Sequence, residues 1–203
     1  MLLIGTQDGL LVLDSNGVEI ERTLEGSSVG NIALGPNGNG HVVVASDNGV
    51  LERQGTGEPW ETLLGGTDAR CVSFGGDGTL YAGINPAAIY RRRPEAKDLE
   101  IISDIENLPS YWSWTFPVTP HLPNLRALTP SFTDPATMYA GVEVGGVIAT
   151  RDSGGSWAEF RVGLQPDIHS LESAPGTEDK LYASTGVGFF KSTDAGRNWH
   201  AAC

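Results

Sequence analysis

Cysteine is scarce in this 203-residue sequence: Cys71 and Cys203 are its two thiols, and they make no metal-ligand or redox spacing. Cys71 reads as a small buried apolar residue and Cys203 as a loose terminal thiol. No apolar run approaches the ~18 to 20 residues a membrane-spanning helix needs. Met1-Leu2-Leu3-Ile4 runs straight into Gly5, Gln7 and Asp8 without the basic leader and long apolar core of a signal peptide, so a cytoplasmic location is expected. Positive charge is also short. Thirteen Lys and Arg stand against 25 Asp and Glu, a formal net charge of −12, which disfavours nucleic acid or an anionic membrane as partner. The basic run Arg91-Arg92-Arg93 is the exception and reads as a solvated strand edge or turn.

What the sequence does have is turn formers, 27 Gly and 12 Pro, in a chain of single-domain length. It also has a repeat. Leu2-Leu3-Ile4-Gly5, Val42-Val43-Val44-Ala45, Leu80-Tyr81-Ala82-Gly83, Met138-Tyr139-Ala140-Gly141 and Leu181-Tyr182-Ala183-Ser184 each end in a small residue and precede another short apolar run. The small residues are separated by 40, 38, 58 and 43 positions. A period near 40, in runs too short and too β-branched or aromatic for helices, is that of a four-stranded propeller blade. Apolar pieces at Ile32-Ala33-Leu34, Val72-Ser73-Phe74, Arg126-Ala127-Leu128 and His169-Ser170-Leu171 supply an inner strand, each followed by a turn such as Gly75-Gly76-Asp77-Gly78 or Ala174-Pro175-Gly176.

The outer turn carries the sharpest signal. Thr150-Arg151-Asp152-Ser153-Gly154-Gly155-Ser156-Trp157 and Ser192-Thr193-Asp194-Ala195-Gly196-Arg197-Asn198-Trp199 share Ser/Thr, Asp, Gly and Trp at identical offsets. A decayed copy ends at Gly57 and Trp60, with Gly55 in place of the Asp. The first unit keeps Asp14 and a displaced Gly17, and the third has no recognisable copy. This pattern resembles the Asp-box, or bacterial neuraminidase repeat, of sialidases, sortilin-type receptors, xyloglucanases and photosystem assembly factors. The resemblance implies an all-β propeller in which Thr150, Asp152, Gly154 and Trp157, like Ser192, Asp194, Gly196 and Trp199, are structural. The resemblance also implies that their turns lie on the rim, away from the ligand face. Blades are expected at about 1–27, 28–66, 67–108, 122–164 and 165–203, one domain over 1–203. The first unit starts at a second strand and the last stops near its outer strand, so an incomplete or open six- or seven-bladed ring is expected.

The long spacing of 58 marks an insertion at about 93–123 that holds Trp112 and Trp114. Long loops on rigid scaffolds tend to carry recognition. The two tryptophans either make a stacking platform or fill a groove between blades. Aligning inner strands on Leu34, Phe74, Leu128 and Leu171 puts Ile32, Val72, Arg126 and His169 at one position. His121, Arg126, Glu143 and His169, beside Trp112 and Trp114, are therefore the candidate ligand-binding residues at the channel mouth. The expected function is a binding or scaffold module for a protein or glycan-like ligand, without a cofactor. The alternative is a glycoside hydrolase with Glu143 as its candidate carboxylate. Against that alternative, the sialidase signature Arg-Ile-Pro is absent, and Arg70, Arg126 and Arg161 have no spacing that defines an arginine triad. His121, Glu143 and His169 suit zinc or iron by type, but no local ligand spacing joins them, and no metal is expected.

Overall fold

The computed structural model describes every residue except Pro175, Glu178 and Cys203, so the turn at Pro175 and the thiol of Cys203 lie outside the described residues. The chain is all-β, folded into five antiparallel sheets in sequence order. Sheet one has three strands: β1 (Leu2–Thr6), β2 (Gly9–Leu13) and β3 (Glu19–Thr23). Sheet two has β4 (Val29–Leu34), β5 (Val42–Ser46), β6 (Gly49–Arg53) and β7 (Glu61–Gly65). Sheet three has β8 (Asp68–Phe74), β9 (Leu80–Asn85), β10 (Ala88–Arg92) and β11 (Glu100–Ile101). Sheet four has β12 (Leu125–Pro130), β13 (Met138–Val142), β14 (Gly146–Thr150) and β15 (Ala158–Glu159). Sheet five has β16 (Ile168–Ser173), β17 (Leu181–Thr185), β18 (Gly188–Ser192) and β19 (His200–Ala201).

Every strand pairs with its sequence neighbour, so each sheet is a meander like a propeller blade. Successive sheets stack face to face and bury an apolar core in each of the four seams between them. The strands β4, β8, β12 and β16 line a common channel of about 650 Å³.

The glycine near the end of β1, β9 and β13 has a packing cause. A Cβ on Gly5 would come within 2.5 Å of the Val29 carbonyl oxygen, one on Gly83 within 2.8 Å of Leu125 Cβ, and one on Gly141 within 2.7 Å of Ile168 Cγ2. The inner strand of the next sheet nests in the space that a side chain would fill. The repeat thus records the approach of one sheet to the next.

The Asp-box turns join β14 to β15 and β18 to β19. In the last one, Ser192 Oγ donates to Asp194 Oδ1 and accepts from Gly196 N at 2.9 Å, while Asp194 Oδ1 also accepts from Asn198 N at 2.9 Å. Thr150, Asp152, Gly154 and Ser156 repeat the arrangement. Ala195 and Gly196 have φ of 59° and 83°, the left-handed conformation that glycine adopts at least cost. The tryptophans cover more than their own hairpin, because each reaches back to the preceding sheet. Trp199 Nε1 donates to Phe160 O at 3.0 Å, and Trp157 Nε1 faces Ile102 O at 3.5 Å.

Ion pairs within sheet three and across its seam with sheet two correct the reading of Arg91-Arg92-Arg93 as a solvated edge or turn. Arg91 is buried and binds Glu100 Oε1 at 2.7 Å, and Arg92 donates to Glu52 Oε2 at 2.8 Å across to sheet two. Glu52 is buried and also bonds His41 Nε2 at 2.7 Å. Burial works to raise its pKa, yet the hydrogen bonds of Arg92 and His41 outweigh that and hold the carboxyl below the ordinary range. Of the three arginines, Arg93 alone has a mostly exposed side chain.

Candidate functional site

Every inner strand carries one extra residue. β12 pairs Leu125 with Val142 and then Ala127 with Gly141, which leaves Arg126 without a partner. The same irregularity leaves out Gly30 in β4, Arg70 in β8 and His169 in β16. These are β-bulges, which re-aim a side chain without breaking the strand. The residues just before them, Val29, Ala69, Leu125 and Ile168, are buried in the seams. The bulged residues instead line the channel.

This register corrects the expected equivalence of Ile32, Val72, Arg126 and His169 by two residues. Gly30 and Arg70 are the true counterparts of Arg126 and His169, whereas Ile32 and Val72 correspond to Leu128 and Leu171. The cause lies at the strand ends, because β12 and β16 continue past Leu128 and Leu171 to Pro130 and Ser173 before turning.

Each bulged polar side chain has an acidic neighbour. Arg70 Nη2 lies 2.6 Å from Asp68 Oδ2, Arg126 Nε 3.3 Å from Glu143 Oε2, and His169 Nε2 3.4 Å from Asp167 Oδ1. Glu143 belongs to the turn between β13 and β14, which the antiparallel register puts at the same end as Arg126. Its backbone N–H donates to Asn124 O at 3.1 Å, and the residue is only 8% exposed. One oxygen or nitrogen from each of Glu143, Asp167 and His169 falls within 4.8 Å of the others. Because successive hairpins alternate ends, the Asp-box turns lie at the opposite rim.

Arg126, Glu143 and His169 are thus brought together, and Asp167 joins them although no motif marked it. One spacing could have revealed it: Asp68-Ala69-Arg70 and Asp167-Ile168-His169 put an Asp two residues before the bulge, where sheet four has Asn124. His121 takes a different place. It is exposed, with φ of 64°, and its Nδ1–H donates to Phe116 O at 2.8 Å within the inserted loop. Phe116 in turn lies 5.8 Å from the Arg70 guanidinium carbon, so the insertion does reach the mouth.

The two tryptophans of the insertion do not form a paired platform. Trp114 is 5% exposed, donates from Nε1 to Ser110 Oγ at 2.8 Å, and packs with Ile105, Leu108, Leu125 and Val142 in the seam between sheets three and four. Trp112 is 86% exposed, with Tyr111 set edge-on to it at 5.2 Å. Trp112 lies inside the short 3-10 turn Tyr111–Ser113, whereas Trp114 follows it with extended backbone.

An arginine triad is not assembled. Arg161 follows the outermost strand β15, pairs with Glu159 at 3.1 Å and is not among the channel-lining residues. Cys71 is buried beneath the channel wall, where desolvation pushes its thiol up to about 12, so it is no nucleophile at neutral pH. Glu172 opens to channel water yet is ringed by protein, and this burial raises its pKa. No helix among the described residues is long and apolar enough to cross a membrane.

No protein-family model and no curated protein sequence matches the chain. Solved structures do resemble it in fold. The extracellular domain of BT4673 from B. thetaiotaomicron superposes with a TM-score of 0.73 at 17% identity, over 99% of this chain and 26% of that one. YCF48 bound to D1 peptide gives 0.63 at 16% identity, over 97% and 62%. The GH74 xyloglucanase from Xanthomonas campestris gives 0.62 at 16% identity, over 87% and 30%. The chain therefore spans between about a quarter and three fifths of the length of these structures, and the likeness establishes a propeller fold of the kind used by binding modules and by glycosidases alike.

Proposed function

We propose that this chain is a binding module that takes a segment of a partner protein at the channel mouth opposite the Asp-boxes. One observation carries the reading: bulges at a single register turn Arg70, Arg126 and His169 into one channel, next to an insertion that offers Phe116 beside Arg70 and an exposed Trp112. A mouth of mixed charge with aromatic faces suits hydrogen bonding to a peptide and stacking on its side chains. The peptide held by YCF48, a propeller of similar fold, supports this choice over a glycan-like ligand.

The test is an array of short synthetic peptides printed beside an array of glycans, probed with the whole chain. Binding to peptides that Arg70→Ala and Trp112→Ala each weaken at least about tenfold supports the proposal. Binding that survives both substitutions overturns it. A second reading, a glycoside hydrolase, would pair the Glu143 and Asp167 carboxylates, whose oxygens lie within 4.8 Å, slightly closer than the ~5 to 5.5 Å between the two carboxyl groups of retaining enzymes. Turnover of chromogenic glycosides, lost in Glu143→Gln, would establish that reading instead.

A further inference from the structure

We propose that Glu143, Asp167 and His169 bind a divalent metal ion of the zinc type at the seam between sheets four and five. Their ligand atoms already lie within 4.8 Å of one another, on three separate segments: the β13–β14 turn, the linker before β16, and the β16 bulge. Glu143 is more than nine-tenths buried, and its Oε2 is shielded from water without accepting a hydrogen bond. Asp167 Oδ1 is shielded and unbonded in the same way. Neither oxygen is hydrogen-bonded, and each has one loose neighbour, Arg126 Nε at 3.3 Å from Glu143 and His169 Nε2 at 3.4 Å from Asp167, an arrangement that a shared cation would satisfy better.

Arg126 answers part of that need. Its Nε stands 3.3 Å from Glu143 Oε2, near enough for attraction but outside hydrogen-bonding geometry. A small ion would do more, because it can be shared among all three side chains. The 3.4 Å between Asp167 Oδ1 and His169 Nε2 matches the edge of a tetrahedron with bonds of about 2.1 Å. Glu143 needs only to close from within 4.8 Å. Arg126 has room to swing aside, since its side chain is 38% exposed on the channel.

The donor set selects the ion. One imidazole with two carboxylates suits zinc and its first-row neighbours, whereas calcium and magnesium favour all-oxygen shells. Backbone bonds hold two ligands in place: Asp167 N–H donates to Gln165 Oε1 at 2.7 Å and its carbonyl accepts from Gly186 N at 3.0 Å, while Glu143 N–H donates to Asn124 O at 3.1 Å. Three protein ligands leave a fourth position on the channel side, open to water or to an oxygen of a bound molecule. The site stands on these residues alone and does not depend on the peptide-binding reading.

The experiment is titration calorimetry of ZnCl2, MnCl2 and CaCl2 into the whole chain after dialysis against a chelator. Saturable zinc binding at one ion per chain is expected, weakened at least about tenfold in both His169→Ala and Asp167→Asn. His200→Ala and His121→Ala should bind as the wild type does, and Arg126→Ala as well or more tightly. Circular dichroism confirms folding, which substitution of the exposed His169 and the partly buried Asp167 should not disturb. The proposal is overturned by absence of saturable zinc binding, by unchanged affinity in either His169→Ala or Asp167→Asn, or by tighter binding of calcium than of zinc.

Discussion

Trp199 Nε1 donates to the carbonyl oxygen of Phe160 at 3.0 Å, so the corner of sheet five is fastened to the chain leaving the outer strand of sheet four. Trp199 is 2% exposed, whereas Trp157, at the equivalent place one sheet earlier, is partly exposed and its contact stretches to 3.5 Å. Trp199→Ala should therefore cost about 3 to 5 kcal/mol in urea unfolding, and Trp157→Ala less. Equal losses would contradict the idea that seam closure, rather than hairpin cover, is the main role of this tryptophan.

Acid should weaken the same corner. The side-chain hydrogen bond from Asn198, the Asn198 backbone N–H and the Ser192 hydroxyl bring the Asp194 carboxyl down to about 2 from an ordinary 3.8. Its depressed pKa means that the folded state favours the ionised form. The contribution is complete above about pH 4 and fades as pH falls toward 2. In unfolding curves recorded across that window, the gap between wild type and Asp194→Ala should narrow steadily. A gap independent of pH would show that the carboxylate charge is not what matters there.

Gly141→Ala puts a methyl against Ile168 Cγ2 at 2.7 Å, one residue before the bulge at His169. The crowding should cost about 1 to 3 kcal/mol. It should also disturb the mouth, since Ile168 and His169 are adjacent. Thermal unfolding and the ligand titrations read the two effects separately, and an alanine tolerated in both would mean the seam is looser than the contacts imply.

Two tryptophans two residues apart should behave as opposites. Trp114→Ala removes a buried indole from the seam and should cost about 3 to 5 kcal/mol, while Trp112→Ala should stay within about 0.5 kcal/mol of wild type. Differential scanning calorimetry of the pair checks this. Comparable melting temperatures would refute the assignment of one to the core and the other to solvent.

Much of this architecture can be read in the residues. The small positions Gly5, Gly83 and Gly141 mark the seams, and Asp152 and Asp194 with their glycines mark the outer corners, because each answers a local constraint that few other residue types satisfy. The site was harder to read. A bulge has no residue signature of its own and exists only relative to the paired strand, so Arg70 was hidden from an alignment that matched apolar strand ends. Asp167 escaped for a similar reason, since its neighbour Glu143 is brought to it by a different hairpin. Trp112 and Trp114 look alike in sequence, and only the structure, with Trp112 inside a short 3-10 turn and Trp114 just after it, shows which one meets water.

The one unpaired residue in each inner strand also separates two jobs that a regular ladder would tie together. Leu125 and Ile168 stay committed to the interior whatever follows them, so the next position is free to vary as Gly30, Arg70, Arg126 and His169 do. A channel lined in this way can be re-lettered one strand at a time, its chemistry rewritten while the sheets that carry it keep their shape.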